Sequence, residues 1–166
     1  MRILALDTSL TKSGWAVLSV DNRKASVVDY GLIKTNAKLT DGERLRELHS
    51  GIVAILGEYP DIDSVIPIED GIVRFNTATK QIAKARGVIE FSLVDYRLEP
   101  INIATVKKWA REVTGVTGKD GMKKENVEAA VKQYFAVDEL RNNRGGDVSD
   151  AIAVGTVYLK REGAID

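Results

Sequence analysis

The sequence predicts a single α/β domain spanning residues 1–166, a three-strand antiparallel meander followed by alternating helices and strands. Three observations predict it. Apolar runs at 3–7, 14–20 and 25–34 are separated by only a few turn-forming residues, Thr8–Thr11 and Asp21-Asn22. Two long stretches with helical apolar spacing then flank a short apolar run that ends in acids. The chain has 166 residues, 44% of them hydrophobic, which suffices for one domain with a real core.

Each element has its own justification. In "TDGERLRELHSGIVAILGEYP", Thr40 and Glu43 form a capping-box pattern, and Leu45, Leu48, Ile52, Ile55, Leu56 and Tyr59 share one face until Pro60 stops the helix. "DSVIPIED" reads as a short buried strand. "NTATKQIAKARGVIEFSLVDY" reads as a second long helix, with Ala78, Ile82, Ala85, Ile89 and Leu93 in register. "EPINIAT" returns a strand, and "TVKKWAREV", "KKENVEAAVKQYF" and "DVSDAIAVGTVYLKR" read as three closing helices.

Composition excludes several kinds of chemistry. There is no cysteine, so disulfides, zinc-thiolate sites and cysteine nucleophiles are out. No apolar run spans a bilayer and the start is charged too soon for a signal peptide, so the expectation is a cytoplasmic protein without a membrane partner. The net charge of zero conceals an uneven distribution. Residues 41–70 hold eight acids against Arg44 and Arg46, whereas 78–124 hold ten bases against five acids. A basic third of this kind suits a polyanionic partner.

The chemistry lies in where the acids fall. Asp7 closes the first strand, Glu69 closes the fourth, and Asp147 and Asp150 open the last helix three residues apart, on one face. Carboxyl-terminal strand ends gather at one edge of a parallel α/β sheet, so the four acids are expected to converge there. Four carboxylates in one pocket repel one another unless a cation shares them. All-oxygen ligation suits Mg²⁺, with Mn²⁺ as a substitute, and two such ions are a device for hydrolysing phosphodiesters. Taken singly, each acid has another reading: Asp7 as a turn-former, Glu69 as a solvated strand end, and Asp147 as an N-cap with Asp150 favoured by the helix dipole.

The segments "ALDTSLTKSGWAVL", "IEDGIVRFNTATKQIAKARGVIE", "TVKKWAREVTGVTGKDGMKKENV" and "GDVSDAIAVG" resemble, in order and over nearly the whole chain, the RuvC family of Holliday junction resolvases. The resemblance implies an RNase H-like fold, a five-stranded mixed sheet with a three-strand antiparallel meander plus two parallel strands, flanked by helices. It implies a metal-dependent endonuclease that cuts four-way junctions and related branched DNA, with Asp7, Glu69, Asp147 and Asp150 as catalytic metal ligands. It places Lys107 and Lys124 at the family's basic positions near the scissile phosphate. Lys108, Arg111, Lys119 and Lys123 lie beside them in sequence, and Arg74, Lys80 and Lys84 extend the basic track.

Departures from the family pattern carry expectations of their own. Asp7-Thr8-Ser9 stands where bacterial members carry D-P-G, and the carboxyl-terminal end is short, features that look more like a phage-encoded member acting in host cytoplasm. The family's junction-wedging aromatic falls on Ile72, with Phe75 three residues further on. The helix beginning at Asn76 carries small and apolar residues, Ala78, Ile82, Ala85 and Ile89 among them, that suit the contact of a homodimer, and the resemblance points to the same helix. Nothing in the sequence indicates a branch-migration motor partner. Alternatives are an RNase H-like nuclease acting on RNA–DNA hybrid or transposon ends, and a junction binder that does not cleave.

Overall fold

Alternation along the first strand decides what faces what. The computed structural model describes residues 1–70 and 77–166. Strands β1 (Arg2–Asp7), β2 (Lys12–Asp21) and β3 (Lys24–Lys34) form an antiparallel meander, with Asp7 directly opposite Gly14. Helix α1 (Asp41–Glu58) leads to β4 (Val65–Asp70), parallel to β1; helix α2 (Thr77–Ser92) leads to β5 (Arg97–Asn102), parallel to β4. The sheet order is β3-β2-β1-β4-β5. Helices α3 (Ile103–Thr114), α4 (Lys124–Phe135) and α5 (Asp147–Arg161) complete the chain.

Local chemistry accounts for the boundaries. The capping box at α1 forms: the Glu43 amide donates to Thr40 Oγ1 at 3.4 Å, and the Thr40 amide donates to Glu43 Oε2 at 2.9 Å. The strand expected over 99–105 ends at Asn102 instead. Asn102 caps α3 by accepting the Ala104 amide at 2.7 Å, which turns the chain into a helix. Helix α2 stops at Ser92, short of the expected 96, where the Leu93 carbonyl accepts the Tyr96 amide in a turn. Gly145 and Gly146 both adopt positive φ before α5, a backbone only glycine holds without strain.

Two cores lie on opposite faces of the sheet. Ile3 and Ala5 of β1 point towards α3, α4 and α5, whereas Leu4 and Leu6 pack with Leu48, Ile52 and Ile55 of α1, Ile89 of α2 and Leu93 just after it. Helix α5 is buried from Val148 to Leu159, and its small residues let it lie close to the strands. A Cβ on Gly155 would come within 2.6 Å of Leu18 Cδ1 and 3.0 Å of Ala5 Cβ.

One expectation for α2 is corrected by this packing. Ala85 and Ile89 are 1% exposed and face the chain's own core, so neither is available to a second subunit. The helical register that brings them to one face brings that face onto the sheet. The apolar residues left outside are Ile82, Phe91 and Val94. Ile72, Arg74 and Phe75, and the side chain of Ala78, lie outside the described residues.

Candidate metal centre

Parity carries Asp7 to the site. It shares the face of Ile3 and Ala5, so its carboxylate points towards α5 from the sheet's edge. Glu69 stands in the same relation to β4, where Ile66 and Ile68 point to the α1/α2 side. Helix α5 arrives at this edge with its first turn because β2 carries no side chain at Gly14. A Cβ there would sit 1.9 Å from the Asp147 carbonyl oxygen. Carboxylate oxygens of Asp7, Glu69 and Asp150 consequently lie within 4.8 Å of one another.

The turn after β1 leaves Asp7 out of its own bonding. Ser9 Oγ donates to the Lys12 carbonyl at 2.7 Å and accepts the Lys12 amide at 3.0 Å. Ser13 Oγ donates to the Ser9 carbonyl at 2.7 Å and accepts the Ser9 amide at 3.0 Å. The hydroxyls of "TSLTKS" thus satisfy the loop, and the turn-former reading of Asp7 gives way. Asp147 is likewise not an N-cap: Gly146 caps α5 and Asp147 is its first helical residue.

Electrostatics at this edge are unfavourable for a cation-free site. Burial and the neighbouring carboxylates of Glu69 and Asp150 push Asp7 well above the usual carboxylate range. Burial and Asp150 raise Glu69 from its ordinary 4.5 to about 7, against the opposing pull of Lys124 and Lys107. Asp150 is 1% exposed and burial raises it too. Its Oδ2 lies 3.0 Å from Lys124 Nζ, but its Oδ1 is buried with no hydrogen-bond partner among the described residues. A buried carboxylate oxygen left bare is costly, and a metal ion satisfies it. The donor set, oxygens only and at least three carboxylates, fits Mg²⁺ or Mn²⁺.

The fourth expected ligand stands apart. Asp147 is not within the three-carboxylate cluster: its Oδ2 is 2.9 Å from Lys12 Nζ and its Oδ1 is 4.0 Å from Lys124 Nζ. The acids converge as a group of three, with the fourth held by lysines at the rim. Lys12 was not among the candidates read from sequence, although its position five residues after Asp7, in a loop back to the same edge, was a usable signal.

The basic residues divide by location. Lys107 faces Glu69 and Asp150, and Lys124 bridges Asp150 towards Asp147. Although burial opposes the charge on Lys124, the carboxylates of Asp150, Asp7 and Asp147 outweigh it and raise the ammonium pKa. Arg111 packs against the loop at Gly121, where a Cβ would meet its Cγ and Cδ at 2.8 Å. Lys123 pairs with Asp120 at 2.6 Å, while Lys119 and Lys80 are exposed. Lys108 turns instead to a groove beside Val157 and Arg161, on the carboxyl-terminal half of α5 and away from the acids. Lys84 is engaged by Asp41 at 2.7 Å. A cleft of about 470 Å³ runs from Asp7 and Glu69 along α2, lined by Ile82, Arg86 and Glu90.

A sheet of order 3-2-1-4-5 with carboxylates gathered against the first turn of α5 defines an RNase H-like protein with a candidate centre for divalent cations. Within that class the sequence itself is specific: the profile described as crossover junction endodeoxyribonuclease RuvC matches residues 3–158, and the chain belongs to that family. A RuvC of Ehrlichia canis is 32% identical over 160 residues, covering 95% of this chain and 96% of the relative. That of Prochlorococcus marinus is 26% identical over 164 residues, covering 98% and 99%. Among solved structures, Thermus thermophilus RuvC in complex with Holliday junction substrate superposes with a TM-score of 0.78 at 18% identity, covering 99% of this chain and 98% of that one. The Fowlpox virus resolvase with its substrate junction gives 0.59 at 14% identity, covering 98% and 99%.

Proposed function

We propose that the chain cleaves four-way DNA junctions and related branched DNA by hydrolysing phosphodiesters at the Asp7–Glu69–Asp150 edge, with Asp147 as the fourth acid. The observation that carries this reading is the buried oxygen of Asp150, without a partner among the described residues, within a triangle of carboxylates where burial and mutual proximity raise the pKa values of Asp7 and Glu69. Such a cluster has a use only when a cation shares it. Asp7, Glu69 and Asp150 would hold Mg²⁺, or Mn²⁺ in its place, with Asp147 joining for a second ion. A cation held there would supply activation of a water and a counter-charge for the leaving oxygen. The protein's own groups do the rest. Lys107 and Lys124 draw a phosphate towards the carboxylates, and α5, buried along most of its length, keeps Asp150 from moving.

Resolving a four-way junction takes two symmetric cuts, which a two-fold dimer with two identical sites provides. We assign the dimer contact to α2, where Ile82 is exposed. Ile72 or Phe75 would serve as the wedge that replaces lost base stacking at the crossover. The chain acts as a single domain in cytoplasm, and the Asp7-Thr8-Ser9 turn favours a phage-encoded origin. Among the described residues no helix is long and apolar enough to cross a membrane.

Labelled four-way junction, linear duplex and RNA–DNA hybrid, each incubated with and without Mg²⁺, test the assignment. Paired nicks at matching positions on opposed strands of the junction alone are expected, and only with metal. Preferential cutting of the hybrid would replace the junction by another nucleic acid, and metal-dependent binding without cutting would leave a junction binder.

A further inference from the structure

The placement of Lys12 at this edge is not explained by the three-carboxylate cluster. Both ends of the residue are fixed. Its backbone amide and carbonyl are bonded to Ser9 Oγ at 3.0 and 2.7 Å, and it opens β2 opposite Lys34. Its ammonium lies 2.9 Å from Asp147 Oδ2 and donates to the Arg144 carbonyl at 3.0 Å. The space around it is kept open by Gly145, at φ +108°, where any Cβ would come within 3.0 Å of Nζ and 3.4 Å of Asp147 Oδ2. A turn, a backbone carbonyl and a glycine thus combine to hold one ammonium against one carboxylate.

We propose that Lys12 is a positioning residue that holds Asp147 out of the three-carboxylate cluster, so that divalent cations load in order. This rests on the proposed metal-dependent function. The first ion takes Asp7, Glu69 and Asp150, none of which is paired with Lys12. The second requires Asp147, and must compete with an ammonium already seated on it. Lys124 has the complementary place: its 3.0 Å contact is to Asp150, so it competes with the first ion. Lys124 also lies 4.0 Å from Asp147 Oδ1 and so bears on both steps, whereas Lys12, paired with Asp147, bears on the second. The arrangement keeps the rim of the site charge-compensated before metal arrives and makes full occupancy depend on the looser, second ion.

The test is Mn²⁺ binding to the full-length protein without DNA, followed by calorimetry and by the paramagnetic resonance signal of free Mn²⁺. The wild type should bind one ion well and a second more weakly. Lys12→Met, which keeps the stem and removes the charge, should tighten the second ion on the order of fivefold, the scale of a half-exposed ion pair, and leave the first unchanged. Lys12→Arg should retain the wild-type pattern, and in a Lys12→Met/Asp147→Asn protein the gain should vanish with the second ion. Tightening of both ions equally, or a gain that persists without Asp147, would overturn the proposal in favour of a general charge effect. So would unchanged binding by a Lys12→Met protein whose melting temperature matches wild type. The metal-dependent reading fails separately, if the wild type binds no Mn²⁺ or if Asp7→Asn binds as well as wild type.

Discussion

The two faces of the sheet are built from the same strands and end in opposite conditions. On the α1/α2 side the apolar ladder of Leu4, Leu6 and Val17 gives way near the edge to a buried cation, Arg44, 7% exposed. Its Nε donates to Thr35 Oγ1 and its NH2 group to Thr11 Oγ1, both at 3.0 Å, and Thr35 Oγ1 in turn donates to the Leu10 carbonyl at 2.6 Å. That end is closed by its own hydrogen bonds. On the α5 side the ladder of Ile3 and Ala5 runs into Asp7, and the carboxylates there are satisfied only in part, by lysines from β2 and α4. The difference separates a face whose buried charge is met by hydrogen bonds from one whose carboxylates are met only in part, a setting that suits a cation. The proposed function lies where folding leaves charge unresolved.

Replacing the acids should break that contrast most severely. Asp7→Asn, Glu69→Gln and Asp150→Asn are each expected to lower junction cleavage by roughly a thousandfold or more. A lost metal ligand forfeits several kcal/mol of charge stabilisation, at about 1.4 kcal/mol per tenfold. Junction affinity in gel-shift titrations should survive, because phosphate contacts lie elsewhere, and wild-type cutting by Asp7→Asn would sink the assignment. The metal-free Asp7→Asn protein should also melt a few degrees higher than wild type at pH 8, since it removes one of several mutually repelling buried charges.

The opposite face should answer in stability and not in chemistry. Leu48→Ala, at a fully buried position of the α1/α2 core, should cost about 2–5 kcal/mol in denaturant unfolding and leave the cleavage rate per folded molecule unchanged. Gly14→Ala sharpens the comparison because it sits between the two effects. Its Cβ would strike the backbone of Asp147, so about 1–3 kcal/mol of overpacking should come with a loss of cleavage as α5 is pushed from the edge. A variant that lost stability alone would mean that the position of Asp147 is not critical.

A smaller effect should appear with pH. Glu69 sits at about 7 in the folded chain against an ordinary 4.5, so between those values the folded state binds more protons than the unfolded one. For the metal-free protein this contribution makes stability rise as pH falls from 8 towards 5. With Mg²⁺ the trend should reverse, because the ions bind the deprotonated acids and are lost as pH drops through 7. Thermal melts in chelator and in excess Mg²⁺ across that range compare the two slopes, and Glu69→Gln should flatten both.

Last, the lysines separate by what they face. Exchanging Lys107 and Lys124 for Ala should flatten the slope of log affinity against log salt by roughly one unit for each phosphate no longer neutralised, and Lys108→Ala should leave it unchanged. A change with Lys108 would place DNA on the groove at the far half of α5.

Much of this was legible in the residues. The capping box at Thr40 and Glu43, the strand-closing positions of Asp7 and Glu69 and the D-x-x-D opening of the last helix are local patterns, and periodicity of 2 or 3.6 is enough to place them. Sequence alone thus determined the order of elements and named four acids for one edge, of which three meet. Tertiary structure decided which side of α2 was spent on the core, turning Ala85 and Ile89 inwards, because periodicity names a face without saying what covers it. It also decided that Asp147 stands with Lys12 and that Gly14 admits α5 to the edge. Those contacts join residues more than a hundred positions apart, and they exist only once the helix has docked on the strands.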